Sequence, residues 1–201
     1  MGIWRLCTVV CFAFLSSMAL AGDVAQLHLH LSSMKTLDAK FKQTVMDDSG
    51  NILQQSEGVL AVERPNKIRW ESTSPFRYLL VSDGETLWRY DAELEQLNTE
   101  AFDTEVAQAP AMIIGASIEQ LDAQFDVKLH KQDTLREFTL IPKVPQMFSE
   151  MTLRFRQGKL IAMQLSDNLE QRTFIEFVAP KYNTRLPASL FRFDPETAAS
   201  Q

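Results

Sequence analysis

Apolar and polar positions alternate along most of this chain, and RPNKIRWES (64–72) shows the pattern in its shortest form. Ile68 and Trp70 share one face of an extended segment, while Lys67, Arg69 and Glu71 share the other. A half-buried strand with its charges in water is the expectation. Comparable runs rich in β-branched and aromatic residues recur as EGVLAVE, RYLLVS, ETLWRYD, REFTLIP, MTLRFR, KLIAMQLS and RTFIEFV. Asp48-Ser49-Gly50-Asn51, Asp83-Gly84 and Gln157-Gly158 punctuate them, because glycine and asparagine tolerate the positive φ of tight hairpins. Connections this short imply antiparallel neighbours.

A helical period replaces the alternation in two places. Val24, Leu27, Leu31 and Met34 fall on one face of a helix near the start. Further on, Pro110 can open a helix that Gly115 ends, and Ser117 with Gln120 has the spacing of a capping box for a second short helix through Leu121. The expected fold is mainly β with α: one large antiparallel sheet whose accumulated twist curls it toward an incomplete barrel. The helices at 24–34 and 110–121 pack on its concave side.

Pattern leaves open whether such a barrel is filled or hollow. Met112, Ile113, Met151, Phe155, Met163, Trp70 and Trp88 form an apolar set rich in methionine and aromatics. That set suits a packed core, and it suits equally a lining that adapts to irregular ligands.

The first residues read as an export signal. MGIWR carries one positive charge, an apolar run follows over 6–15, and Ala19-Leu20-Ala21 offers small residues for cleavage before Gly22. The run is shorter than the ~20 apolar residues that span a bilayer. The expected division is therefore a cleaved segment, 1–21, and a single domain, 22–201. Both cysteines, Cys7 and Cys11, fall in the signal, so the remainder has no thiol for a disulfide, a metal or nucleophilic catalysis.

Charge and motifs narrow the function by exclusion. A net charge of −6 argues against nucleic-acid phosphate as a partner. The chain has no G-x-S-x-G elbow, no H-E-x-x-H and no glycine-rich phosphate loop. His28 and His30 are two apart on a helix, point to opposed sides and are expected in solvent, as are Glu93 and Glu95 in a turn. The expectation is no enzyme, no cofactor and no metal.

Residue strings point further. Glu63-Arg64-Pro65-Asn66, Arg69-Trp70-Glu71, Ser74-Pro75 and the run VSDGETLWRY (81–90) resemble the LolA family of periplasmic outer-membrane lipoprotein carriers of Gram-negative bacteria. Phe41-Lys42-Gln43, Pro110-Ala111-Met112, Leu140-Ile141-Pro142-Lys143 and 173–177 extend the similarity along nearly the whole chain. The resemblance implies a helical lid, Met112, Ile113 and Ile114, over a hydrophobic cavity lined by Ile68, Trp70, Leu80, Trp88, Met151, Phe155 and Met163. It implies that Arg64 latches the lid through hydrogen bonds to lid backbone.

The same resemblance implies a monomeric carrier of acylated lipoproteins in the periplasm. It would receive them from an inner-membrane ABC exporter (LolCDE-like) and deliver them to an outer-membrane receptor (LolB-like). A related paralogue carrying another lipid or a polyene is the alternative expectation. The ending FRFDPETAASQ departs from the P-x-G-V-D-V segment that closes many family members.

Overall fold

A computed structural model of the chain describes residues 18–102, 110–145 and 147–195. Most of the expected signal segment, 1–17, lies outside the described residues. Six strands, β1 (Thr36–Met46), β2 (Ile52–Glu63), β3 (Lys67–Ser74), β4 (Tyr78–Asp83), β5 (Thr86–Asp91) and β6 (Gln96–Ala101), form one meander. A second comprises β7 (Phe125–Gln132), β8 (Leu135–Pro142), β9 (Phe148–Arg156), β10 (Lys159–Asp167) and β11 (Arg172–Tyr182). β11 pairs antiparallel with β1, which joins both meanders into one open, curved sheet of eleven strands running from β6 to β7.

Strand pairing carries the alternation from strand to strand. Leu37, Ala39 and Phe41 on β1 face Val62, Leu60 and Gly58 on β2, and Leu60 in turn faces Trp70. Phe41 faces Phe177, and Met163 lies between Ile175 and Leu153. All of these share the concave face, which supplies most of the core. Three strands go beyond the expected set. β1 and β7 carry a legible alternation, whereas β6 (QLNTEA) is polar, exposed along its length and held as a strand by its pairing to β5.

Helices cross the concave side. α1 (Met18–Ser33) extends ahead of the apolar face that begins at Val24. Its Leu27 and Leu31 are buried, with Met34 just beyond. Asp23 Oδ2 accepts the backbone N–H of Leu129 at 3.1 Å, which ties α1 to the edge strand β7. α2 (Pro110–Gly115) and α3 (Ile118–Gln124) occupy the connection between the meanders. The capping box is complete, with Ser117 Oγ accepting from Gln120 N–H and the Gln120 side chain accepting from Ser117 N–H.

Two expectations about polar groups are corrected. The charges of 64–72 do not all face water, because a 3-10 turn (Ala188–Phe191) near the C-terminus packs on the convex side of β3 and β4. Phe191 is buried there, and the Phe193 ring lies 5.5 Å from that of Tyr90. Glu71, only 6% exposed, accepts from Arg69 Nη2 at 2.7 Å and from Arg77 Nη2 at 3.2 Å. A carboxylate so enclosed needs such donors to replace the hydration it loses.

His28 and His30 are likewise not free in solvent. His28 Nε2 pairs with Asp122 Oδ1 of α3 at 3.0 Å, while His30, on the other side of α1, stacks on Phe155 with ring centroids 5.0 Å apart. Burial, and then the Arg136 guanidinium, push the His30 pKa below 6.5. Folding therefore favours the neutral ring. That contribution to stability is intact above pH 6.5 and is lost as pH falls below it. Thermal melts at pH 7.5 and pH 5 are expected to show a loss of stability in acid that His30→Phe reduces.

Candidate functional site

Register sorts the expected lining residues into two groups. Ile68, Trp70, Leu80, Met151, Phe155 and Met163 are buried on the concave face in one apolar cluster. Trp88 is not with them. It pairs with Val81, which pairs with Arg69, so it stands on the convex side of the sheet, opposite to the Trp70 and Leu80 face. Six side chains of the set are brought together, and one is not.

Met112, Ile113 and Ile114 of α2 are buried in that same cluster, packed over β2 and β3. They fill the space above the concave face. Full burial of three such side chains stabilises this packing of α2 by ~1.5–3 kcal/mol each, as an upper estimate.

The turn between β2 and β3 holds the end of α2 by two hydrogen bonds. Arg64 Nη1 donates to the Ile114 carbonyl at 2.6 Å, and Asn66 N–H donates to the Gly115 carbonyl at 2.8 Å. The carbonyls at a helix C-terminus lack partners inside the helix and carry partial negative charge, so a guanidinium and a backbone amide are apt donors. Arg64 itself is anchored by its own N–H, which donates to Lys35 O at 2.9 Å. Its pKa is lowered to about 10 by burial, partly offset by Glu119. The guanidinium thus stays charged throughout the neutral range.

Asn66 had no role in the sequence-based expectation. Its φ of 66° lies in the left-handed region, which asparagine tolerates better than most residues, and that was a readable signal in Arg64-Pro65-Asn66. Its side-chain Oδ1 is buried without a hydrogen-bond partner. Leaving such an atom unmatched costs about 1–3 kcal/mol. The end of α2 is therefore held by two donors from a turn that also buries one unsatisfied acceptor.

Gly58 was also missed, since nothing in GVLAVE marks it. It sits where the β2–β3 register shifts, directly across from Phe41, whose ring stacks on Trp70 with centroids 4.0 Å apart. A Cβ at Gly58 would fall 1.9 Å from the Glu71 carbonyl oxygen and 2.8 Å from the Phe41 ring. The absent side chain makes room for the aromatic pair that floors the concave face.

A cleft of about 510 Å³ opens on the convex face between β1–β4 and the C-terminal turn, with Asp38, Arg69, Glu71, Arg192 and Asp194 among its walls. Val59, Ala61, Leu79 and Leu190 also line it, so it mixes charged and apolar walls. Among the described residues, no three His, Cys, Asp or Glu side chains are placed to hold a metal ion. No described helix is long and apolar enough to cross a membrane.

Comparison with known proteins joins this geometry to a family. The outer-membrane lipoprotein carrier protein of Pseudomonas entomophila is 36% identical over 173 residues, covering 86% of this chain and 84% of the relative. That of Dechloromonas aromatica is 35% identical, covering 98% and 95%. Among solved structures, a LolA superfamily protein from Nitrosomonas europaea superposes with a TM-score of 0.51 at 8% identity, covering 85% of this chain and 98% of the other. A DUF1329 family protein from Desulfovibrio piger gives 0.53 at 10% identity, covering 87% and 97%. At such identities the structural likeness concerns the fold alone. The model of the family described as outer membrane lipoprotein carrier protein LolA matches residues 32–194, and with these relatives over most of its length the chain belongs to that family.

Proposed function

We propose that this protein carries the acyl chains of lipoproteins across the periplasm, taking them from an inner-membrane exporter and giving them to an outer-membrane receptor, with Arg64 as the latch of its lid. The observation that carries this reading is an apolar concave face covered by α2, whose last carbonyls are held by donors from a single turn. Residues 1–21 act as the export signal and 22–201 as the carrier domain. No step of this function needs catalysis or a cofactor.

Magnitudes favour a pocket that holds its cargo incompletely. Each buried CH₂ of an acyl chain contributes ~0.8 kcal/mol. Exposing Met112, Ile113 and Ile114 is offset by roughly ten such groups, by the same area bookkeeping. Three fully buried chains would exceed the ~18–21 kcal/mol at which non-covalent affinity saturates. A carrier that tight could not release. Partial burial, with a lid that prefers to close, leaves the free energy of handover to a modestly better acceptor.

The test is native mass spectrometry of the protein isolated from periplasm without detergent, alongside its Trp70→Ala and Trp88→Ala variants. An acylated polypeptide bound to the wild type and to Trp88→Ala, and depleted on Trp70→Ala, is the expected result. A small lipid as the sole bound mass would overturn the cargo assignment. Equal loading of all three would overturn the concave face as the binding surface.

A further inference from the structure

The two ends of the sheet differ in a way that the lid and its latch do not explain. Strand direction places the β1–β2, β3–β4, β5–β6, β8–β9 and β10–β11 connections at one end. The β2–β3 turn with Arg64 is at the other. Every hairpin of the first end presents a large apolar side chain to solvent: Leu53, Phe76, Leu94, Met147 and Leu169 are 53%, 61%, 69%, 74% and 77% exposed. Single exposed apolar residues are ordinary, but one on each of five adjacent tips forms an arc that marks an interaction surface.

Charge at this end selects the partner. Asp48, Glu93, Glu95 and Glu170 stand exposed on the same tips. Of the basic groups nearby, Arg77 closes on Glu71 and Arg172 is half-buried at the start of β11, while Lys143 is exposed on the β8–β9 tip, so carboxylates outnumber cations along this rim. A rim of carboxylates interleaved with apolar tips is repelled by an anionic lipid surface. It complements a protein surface that offers Lys and Arg around apolar sockets.

We propose that this hairpin end, remote from the Arg64 latch, is a docking surface for a basic protein partner that seats Phe76 and Leu94 among its cations. Docking here leaves α2 free to move, so a partner could hold the carrier while the lid opens. The contact is defined independently of what the concave face binds.

The experiment places the photo-reactive residue benzoylphenylalanine at Phe76 or at Leu94 of the full chain in periplasm, irradiates, and maps the joined peptides by mass spectrometry. The expected result is one protein adduct whose joined segment is flanked by Lys or Arg. For the Phe76 site, Glu93→Lys with Glu95→Lys should lower its yield at least tenfold, as should raised salt, with an unchanged melting temperature. An adduct indifferent to charge reversal, an adduct with phospholipid, or no adduct would overturn the proposal. So would co-sedimentation with vesicles of phosphatidylethanolamine and phosphatidylglycerol that Leu94→Ser abolishes, because the rim would then meet lipid.

Discussion

Arg64→Leu is expected to fold as the wild type does, to accept lipoprotein, and to hand it to an acceptor about tenfold more slowly or less completely. The substitution removes the donor to the Ile114 carbonyl and leaves the Asn66 bond to Gly115 in place. On the proposed function the lid still closes, held by one donor in place of two. A hydrogen bond from a charged donor contributes about 1.5–3 kcal/mol, and the burial that lowers the Arg64 pKa to about 10 places the net value near the bottom of that range. About 1.4 kcal/mol is a factor of ten. In the proposed cycle a weaker closed state competes less well with the loaded open state, so cargo is expected to stay bound. The measurement is transfer of a labelled lipoprotein from the loaded carrier to outer-membrane vesicles, with a thermal melt as the folding control. Wild-type transfer from a folded Arg64→Leu protein would remove Arg64 from the lid mechanism. Arg64→Lys should be intermediate, since an ammonium keeps the charge but not the planar reach of the guanidinium.

Gly58→Ala is expected to destabilise the fold by at least about 3 kcal/mol, the upper part of the range for overpacked interiors. For a chain of this size that lowers Tm by roughly 6–12 °C. Most added methyl groups meet a side chain that can move aside. This one meets the Glu71 carbonyl oxygen at 1.9 Å, and that oxygen belongs to the backbone of the neighbouring strand. Relief requires separating β2 from β3, the strands that flank the Arg64 turn and seat α2. Trp70 fluorescence should change as well, because its stacking partner Phe41 is the second obstruction, at 2.8 Å. Gly115→Ala is the matched control. Its nearest neighbour would be 3.8 Å away, an ordinary contact, and its Tm should change little. Equal melting temperatures for Gly58→Ala and wild type would show that the sheet yields there at no cost.

Much of the architecture was legible as pattern because it follows from local chemistry. Alternation in KIRWES and its counterparts gave strands. The glycines at 50, 84 and 158 all adopt positive φ in hairpin turns. Pro110, Gly115, Ser117 and Gln120 marked the helix boundaries where α2 and α3 begin or end. β6 stayed hidden because its residues carry no strand preference and its conformation comes from pairing with β5.

By itself, then, the sequence determined which residues share a face within each strand, where the turns fall, and that an arginine precedes the β2–β3 turn. Only the tertiary structure decided which face of the sheet each strand turns inward. Alternation is the same whichever side is buried, and a shift of one residue in pairing exchanges the two sides. Trp70 and Trp88 look alike in sequence, yet pairing with Leu80 puts one on the concave side and pairing with Val81 puts the other on the convex side. The burial of Glu71, the stacking of His30 and the gap at Gly58 have the same origin. Each depends on a neighbour distant in the chain, and a residue carries no local record of what will be folded against it.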